Sequence, residues 1–150
     1  MEKEKGSFGV PILTKESLAT LDDGMWLDDI VMDIQLRSVH DELGPHKRQK
    51  SLICPVHFYT KLKNKLLDRN VEQHNEKPRI CSADSIPALK VQVPQQQGNS
   101  SECGIFVLLY AKHFLNHPPK ELIDELDCTS WFTLTDAFSK CAKIRDTMVG

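Results

Sequence analysis

The stretch 93–106 contains the residue types that could perform covalent chemistry. Cys103 follows a polar loop of Gln, Gly, Asn and Ser residues and opens an apolar run that is typical of a buried helix. A helix N-terminus favours the thiolate form of cysteine, and Gly104 would let a substrate backbone approach closely. Gln97 could donate a side-chain N–H to an oxyanion. The alternative interpretation is a buried structural cysteine on a core helix, which is a common use of the residue.

The remaining cysteines and histidines form no comparable pattern. An odd cysteine count without a regular spacing predicts free thiols inside the cell rather than a disulfide framework. Cys54 and His57 have a ligand-like spacing, but no second pair lies nearby in the sequence, so we expect neither a metal nor another cofactor. The five cysteines are Cys54, Cys81, Cys103, Cys128 and Cys141.

Length and composition predict one globular domain. The chain has 150 residues, 40% of them hydrophobic and 27% charged, as in average soluble domains. Its longest apolar run, Ile105–Ala111, is far shorter than the roughly 20 residues of a membrane span, and no basic-then-apolar leader is visible. The net charge of −2 argues against general nucleic-acid binding. We therefore expect no membrane and no nucleic-acid partner.

Hydrophobic spacing predicts the elements that must position Cys103. Residues 1–15 form a lead-in, and residues 40–52 form a polar loop with a short basic cluster, Lys47–Lys50, which is either solvated loop or a nuclear signal. Apolar periodicity, acidic helix starts and closing prolines define the rest. The predicted elements are helices at about 29–38, 56–66, 103–116 and 134–148, and a half-buried strand at 89–93.

Three motifs resemble those of one enzyme family. The pattern Gln96-Gln97-x-Asn99-x-x-Glu102-Cys103-Gly104-x-Phe106 resembles the nucleophile motif of the sentrin-specific proteases, the cysteine proteases that process and deconjugate the modifier SUMO. Trp26-Leu27-Asp28-Asp29-x-Val31 resembles their early Trp-Leu-x-Asp signature, and Phe58-Tyr59-Thr60-Lys61-Leu62-Lys63 resembles the helix that follows it. Residues around Trp131-Phe132 and Lys143-Ile144-Arg145 match the family's C-terminal helix more loosely.

The resemblance implies an α+β fold of the papain-like cysteine-protease type, truncated in its central sheet. It covers roughly residues 18–66 and 92–148 and implies a catalytic domain at 16–150 that is internally shortened between about 66 and 92. Carried over by position, Cys103 is the nucleophile and Gln97 belongs to the oxyanion hole. Trp26 is one wall of the tunnel for the substrate's Gly-Gly tail, and Trp131 also binds substrate.

The departures from the family pattern concern the general base. The family carries its catalytic His in a His-Trp pair on a central strand, and neither tryptophan of this chain follows a histidine. Cys103 comes only 42 positions after Lys61, several tens fewer than is usual there. Asp84 has no histidine strand before it, and Glu102 replaces the usual Asp. No catalytic histidine is identified.

The resemblance implies a SUMO-specific cysteine protease that cleaves after Gly-Gly and is weak or inactive in this chain. Two alternatives remain: a catalytically dead SUMO-binding relic or splice product, and an unrelated α-rich interaction domain in which Cys103 belongs to the core. The expected partners are SUMO or SUMO-conjugated proteins. We expect a monomer located in the nucleus, with the cytoplasm as the second location.

Overall fold

Helices account for about half of the residues that the structure describes. The computed structural model describes residues 11–22, 24–58, 60, 89–97 and 101–150. Among these residues, β pairing consists of one isolated parallel bridge between Gln92 and Asp127. The helices are α1 (Lys15–Ala19), α2 (Asp29–Asp41), α3 (Pro45–Gln49), α4 (Cys103–Asn116) and α5 (Leu134–Val149).

Helix α2 begins where the sequence predicts and continues about one turn beyond the predicted end. The side chain of Asp28 accepts the Val31 N–H at 2.8 Å, so it caps the N-terminus of the helix. At the other end, the guanidinium of Arg48 donates to the carbonyl groups of Asp41 and Leu43. These bonds satisfy carbonyls that a helix C-terminus leaves without partners, which explains the extra turn.

The predicted polar loop at 40–52 is wrong, because part of it is helix α3. Pro45 occupies the first turn of α3, where its fixed φ suits a helix and its missing N–H costs nothing. Lys47 donates to the carbonyl of Asn116 at the end of α4, while Arg48 closes the end of α2. The basic cluster therefore holds the C-termini of two neighbouring helices.

Helix α4 lies at the centre of the core, as its apolar sequence predicts. It occupies 103–116 in the structure and packs mainly against α2, with α5 on another side. Leu108 on α4 and Val31 on α2 have no exposed surface. The buried cluster comprises Leu21, Val31, Met32, Leu36, Ile105, Phe106, Leu108, Leu109, Phe132, Ala137 and Ile144.

Helix α5 confirms the prediction of a C-terminal helix at 134–148. Thr133 and Asp136 form a reciprocal capping box, in which the hydroxyl of Thr133 accepts the Asp136 N–H at 3.2 Å. Ala137 and Ile144 lie seven positions apart on the buried face of this helix and contact the core. The position of α5 against α4 therefore depends on one apolar stripe and a well-formed N-terminus.

The predicted half-buried strand at 89–93 is wrong in its burial. Leu89 and Val91 are exposed, and the segment pairs with residues 125–128 through single hydrogen bonds, such as Gln92 N–H to the Leu126 carbonyl at 2.8 Å. An alternating pattern buries one side only when further strands complete a sheet. No other strand lies beside this segment in the described part of the chain.

Several predictions lie outside the described residues. Within the predicted helix at 56–66, residues 56 and 57 form a turn, Phe58 and Thr60 are helical, and Tyr59 and residues 61–66 are not described. The same holds for most of the lead-in and for Cys81 and Asp84. Among the described helices, none is both long and apolar enough to cross a membrane.

Candidate functional site

The start of α4 lies directly against the start of α2. A β-carbon built on Gly104 would stand 3.0 Å from Met32 Sδ and 3.2 Å from Leu27 Cδ1. Leu27 directly precedes Asp28, the N-cap of α2, and Met32 is the fourth residue of the helix. Side chains at these two positions pack on each other as a hydrophobic staple at the start of a helix. The sequence suggested that Gly104 would admit a substrate backbone. The structure shows instead that its missing side chain admits Leu27 and Met32, which fixes the Trp26–Asp29 segment beside Cys103.

Cys103 is the first residue of α4 and its side chain is exposed. The core-cysteine interpretation of this residue is therefore wrong. Cys54 and Cys141 are half-buried, and Cys128 is buried, with its pKa raised by burial and by the neighbouring Asp127 carboxylate. Among the cysteines that the structure describes, Cys103 is the one most accessible to a large substrate.

At the start of α4, two backbone N–H groups have no backbone acceptor among the described residues and can donate to a bound anion. Glu102 is the N-cap residue, but its side chain makes no capping hydrogen bond. Its carbonyl accepts from the N–H groups of Ile105 and Phe106. In the described part of the chain, the N–H groups of Cys103 and Gly104 have no backbone acceptor. A helix start of this kind favours negative charge and can donate to an oxyanion next to the Cys103 thiol.

The Trp26–Asp29 motif has identifiable structural roles for all but one of its residues. Leu27 packs on Gly104, and Asp28 caps α2. Asp29 pairs with His57, with 2.5 Å between Oδ2 and Nε2, at an exposed position. The indole of Trp26 remains 62% exposed. An exposed tryptophan next to a fixed leucine is available for contact with a partner.

Gln97 is the last residue of the described extended segment 89–97. This segment is anchored to α4 by Tyr110, whose hydroxyl donates to the carbonyl of Pro94 at 2.6 Å. The Gln97 side chain is exposed and makes no hydrogen bond to the described residues. Three undescribed residues separate it from Ser101, so the structure gives no contact between Gln97 and the Cys103 thiol.

Trp131 lies near the opposite end of α4. Its ring stacks on that of His113, with ring centroids 6.1 Å apart and an angle of 14° between the planes. His113 follows Cys103 by ten residues, which places it about 15 Å along the helix axis. Trp26 is thus brought next to the Cys103 helix start, and Trp131 is not.

Two of the described histidines have identified polar partners. The ring of His40 contacts the Ser51 carbonyl at 3.2 Å, and His57 pairs with Asp29. His113 has a lowered pKa because burial, and then the nearby His117 and Lys112, disfavour its charged form. Within the described residues, no histidine hydrogen-bonds to Cys103, and His74 is not described. The His57–Asp29 pair was not foreseen, because neither residue indicates its partner across 28 positions of sequence.

A small cavity lies behind the start of α4, between Ser101–Glu102, Met25 and the α5 residues Cys141 and Arg145. Its volume of about 40 Å³ is room for little more than one water molecule. The cavity is therefore too small to hold an extended peptide.

A larger cleft of about 320 Å³ lies on another face of α2. It runs between this helix and the segment 52–55, and its lining includes Arg37, His40 and Cys54. The sequence did not indicate this cleft, because its two sides come from separate stretches of the chain. In the described part of the chain, no group of three or more metal-ligating side chains is present.

Comparison with known proteins adds no family to these observations. No protein-family model matches the chain, and no curated protein matches it significantly.

Proposed function

We propose that this chain carries a SUMO-protease-type site built on Cys103, on a papain-like fold with a truncated central sheet. The observation that carries the proposal is the contact of Gly104 with Leu27 and Met32. Two motifs that resemble the sentrin-specific proteases lie more than 70 positions apart in the sequence, yet their central residues touch.

Exposure at the junction also supports the proposal. Trp26 and Cys103 flank the half-buried Leu27–Gly104 contact, and both side chains are exposed. An exposed tryptophan has an energetic cost in water that contact with a partner removes. A glycine-rich substrate tail is narrow enough to lie against the indole and to bring its carbonyl carbon to the thiol.

The mechanism of this site is nucleophilic attack by the Cys103 thiolate on the carbonyl carbon after Gly-Gly. The electron pair of the C=O bond moves to oxygen, and the N–H groups of Cys103 and Gly104 stabilise the oxyanion, together with Gln97. Collapse of this intermediate expels the amine, which must receive a proton, and leaves a thioester that water hydrolyses. The described residues provide no histidine in contact with the thiol to transfer that proton.

A second candidate function is SUMO binding without cleavage. The absence of a His–Cys103 hydrogen bond in the described residues favours it, because binding requires Trp26 but no general base. The two functions share the same recognition surface and differ in turnover alone. The third interpretation, an unrelated interaction domain with Cys103 in its core, loses its premise because Cys103 is exposed.

Titration with SUMO tests recognition in both candidates. We expect weak binding that Trp26→Ala reduces by about 1–3 kcal/mol, the range of a buried interface aromatic. Phe138→Ala is the matched control, because Phe138 is another exposed aromatic, on α5. It should leave the affinity unchanged. No binding of any SUMO paralogue at high micromolar concentration, or equal losses in both variants, would contradict the proposal.

A further inference from the structure

The extended segment 89–93 is bonded to a neighbouring segment along one edge only in the described part of the chain. Both backbone groups of Gln92 bond to the segment 125–128, at 2.8 Å and 2.7 Å, and so does the carbonyl of Lys90. Backbone groups of successive residues in an extended chain point to opposite edges. The N–H and C=O of Val91 therefore face away from 125–128, and no described residue bonds to either group. We call this side of the segment the Val91 edge.

The Val91 edge is held in place at both ends. On its N-terminal side, the Lys90 N–H donates to Asp124 Oδ1 at 3.0 Å. On its C-terminal side, the carbonyl of Pro94 accepts the hydroxyl of Tyr110, on α4, at 2.6 Å. The unpaired groups therefore keep the extended geometry that a further strand requires, so pairing would cost little additional ordering of this segment.

The side chains along the Val91 edge are apolar on one face. Leu89 and Val91 are exposed, and Val93 is half-buried. Side chains two positions apart in an extended chain share a face, so these three lie together, and Lys90 and Gln92 lie on the other face. Exposed apolar side chains beside unpaired backbone groups are the features with which a sheet edge pairs with another chain.

The Val91 edge is complementary to itself in an antiparallel alignment centred on Val91. The two Val91 residues would exchange both backbone hydrogen bonds, and Leu89 of each copy would face Val93 of the other, so apolar side chains would meet across the pair. On the other face, Lys90 would lie opposite Gln92, so no like charges would oppose each other directly. A two-fold axis through this pair would give both copies the same contacts and close the assembly at two.

We propose that the Val91 edge pairs with the same edge of a second copy, so that the chain forms a two-fold dimer through residues 89–93. The proposal replaces the monomer expected from the sequence. Pro94 has no N–H and ends the paired region, so the interface is short and belongs with weak, transient complexes. Neither Cys103 nor Trp26 is part of this edge, so the proposal does not depend on the function proposed above.

Sedimentation equilibrium of the full chain in reducing buffer tests this proposal. We expect the average mass to rise from that of a monomer to that of a dimer and no further, with a dissociation constant of about 100 µM. Val91→Pro removes the unpaired N–H from both copies and should weaken association about ten-fold, the effect of two lost hydrogen bonds. The melting temperature should not fall, because this N–H has no partner among the described residues.

Val91→Lys is a second variant, which keeps the backbone N–H. It places like charges opposite each other at the two-fold axis, so the dimer should be lost at low salt and partly recovered at high salt. The control is Val107→Gln/Phe114→Gln, which removes exposed apolar side chains from α4 and should keep the dissociation constant.

Four results would overturn the proposal. The first is a monomer at every concentration, and the second is growth beyond a dimer. The third is an unchanged dissociation constant in both Val91 variants. The fourth is a weakening in the control equal to that in Val91→Pro, which would assign the association to the apolar face of α4.

Discussion

Gly104 lies so close to Leu27 that a β-carbon on Gly104 would stand 3.3 Å from Leu27 Cβ. This distance joins the start of α4 to the segment before α2, and the exposed side chains of Cys103 and Trp26 are the immediate neighbours of the two residues. The contact is between groups close to the backbone, so neither side can move without moving its chain. The relative position of Trp26 and Cys103 is therefore a property of the core.

Gly104→Ala should destabilise the protein. Alanine is the better helix former by up to about 1 kcal/mol, but forcing a methyl group against Leu27 costs about 1–3 kcal/mol. We expect a net loss near 1 kcal/mol in urea unfolding, together with weaker SUMO binding because the Trp26 segment is displaced.

Gly44→Ala provides the matched control for the glycine substitution. No atom lies within 4 Å of a β-carbon built on Gly44, so the change in unfolding free energy should stay within about 0.5 kcal/mol. If Gly104→Ala were at least as stable as the original protein, the contact with Leu27 would not restrict residue 104 to glycine.

Stability should decrease as the pH falls below about 6.5, with His113 as one cause. Burial, His117 and Lys112 lower the pKa of His113 from its ordinary value, and Asp136 opposes them only in part. The unfolded chain then binds more protons than the folded chain between the two pKa values, so unfolding is favoured as pH decreases through that window.

Replacing His113 separates its contribution to the pH dependence of stability from the contributions of other titratable groups. His113→Phe keeps a ring against Trp131 and should flatten the dependence of unfolding free energy on pH between about 7.5 and 5. An unchanged slope in His113→Phe would contradict the assignment.

Exposed apolar side chains on α4 should limit solubility. Val107 is 47% exposed and Phe114 is 42% exposed, and their spacing of seven places both on one face of the helix. Unpaired backbone beside Val91 adds an open edge in the described part of the chain. We expect a broad melting transition below about 65 °C, the upper end for mesophilic domains.

Val107→Gln/Phe114→Gln should raise the concentration at which the protein aggregates, with little change in melting temperature. Phe138→Gln, at an exposed position on α5, is the control for the loss of one apolar side chain. Sharp, cooperative melting of the original protein above about 65 °C would refute the expectation of a poorly covered helix.

Sequence patterns predicted the long helices because their signals are local. Cys103–Asn116 is almost uniformly apolar, and Leu134–Val149 follows a threonine cap, so each indicates its own bounds. Helix α3 has no apolar periodicity and is held by bonds from Lys47 and Arg48 to other helices, which no local pattern contains. Alternation predicts a half-buried strand at 89–93, although the described residues provide no sheet to cover one of its sides.

In the candidate site, too, the sequence indicates local features but not the contacts that form on folding. The sequence places Cys103 at a helix start after a polar loop, but it leaves an exposed and a buried position both open, and the structure shows the exposed one. The role of Gly104 could not be predicted, because Leu27 becomes its neighbour only after folding. The Asp29–His57 pair is also a tertiary contact, and sequence spacing gave no sign of it.

Catalysis should be slow even if recognition is retained. The described residues place no histidine in hydrogen-bond contact with the Cys103 thiol to act as its general base. Oxyanion donors contribute about 10²–10³ in rate, which does not replace a general base and acid. Turnover of a SUMO conjugate should therefore fall below about 1 per second, the lower end for typical enzymes.

Labelling with SUMO that carries an electrophile at its C-terminus tests the Cys103 site most directly, with ubiquitin carrying the same group as the control. We predict one adduct with the SUMO probe, mapped to Cys103, that is lost in Cys103→Ser, retained in Cys54→Ser and Cys141→Ser, and reduced in Trp26→Ala. Absence of an adduct, attachment to Cys54 or Cys141, or equal labelling by ubiquitin would contradict the assignment of a SUMO-directed nucleophile.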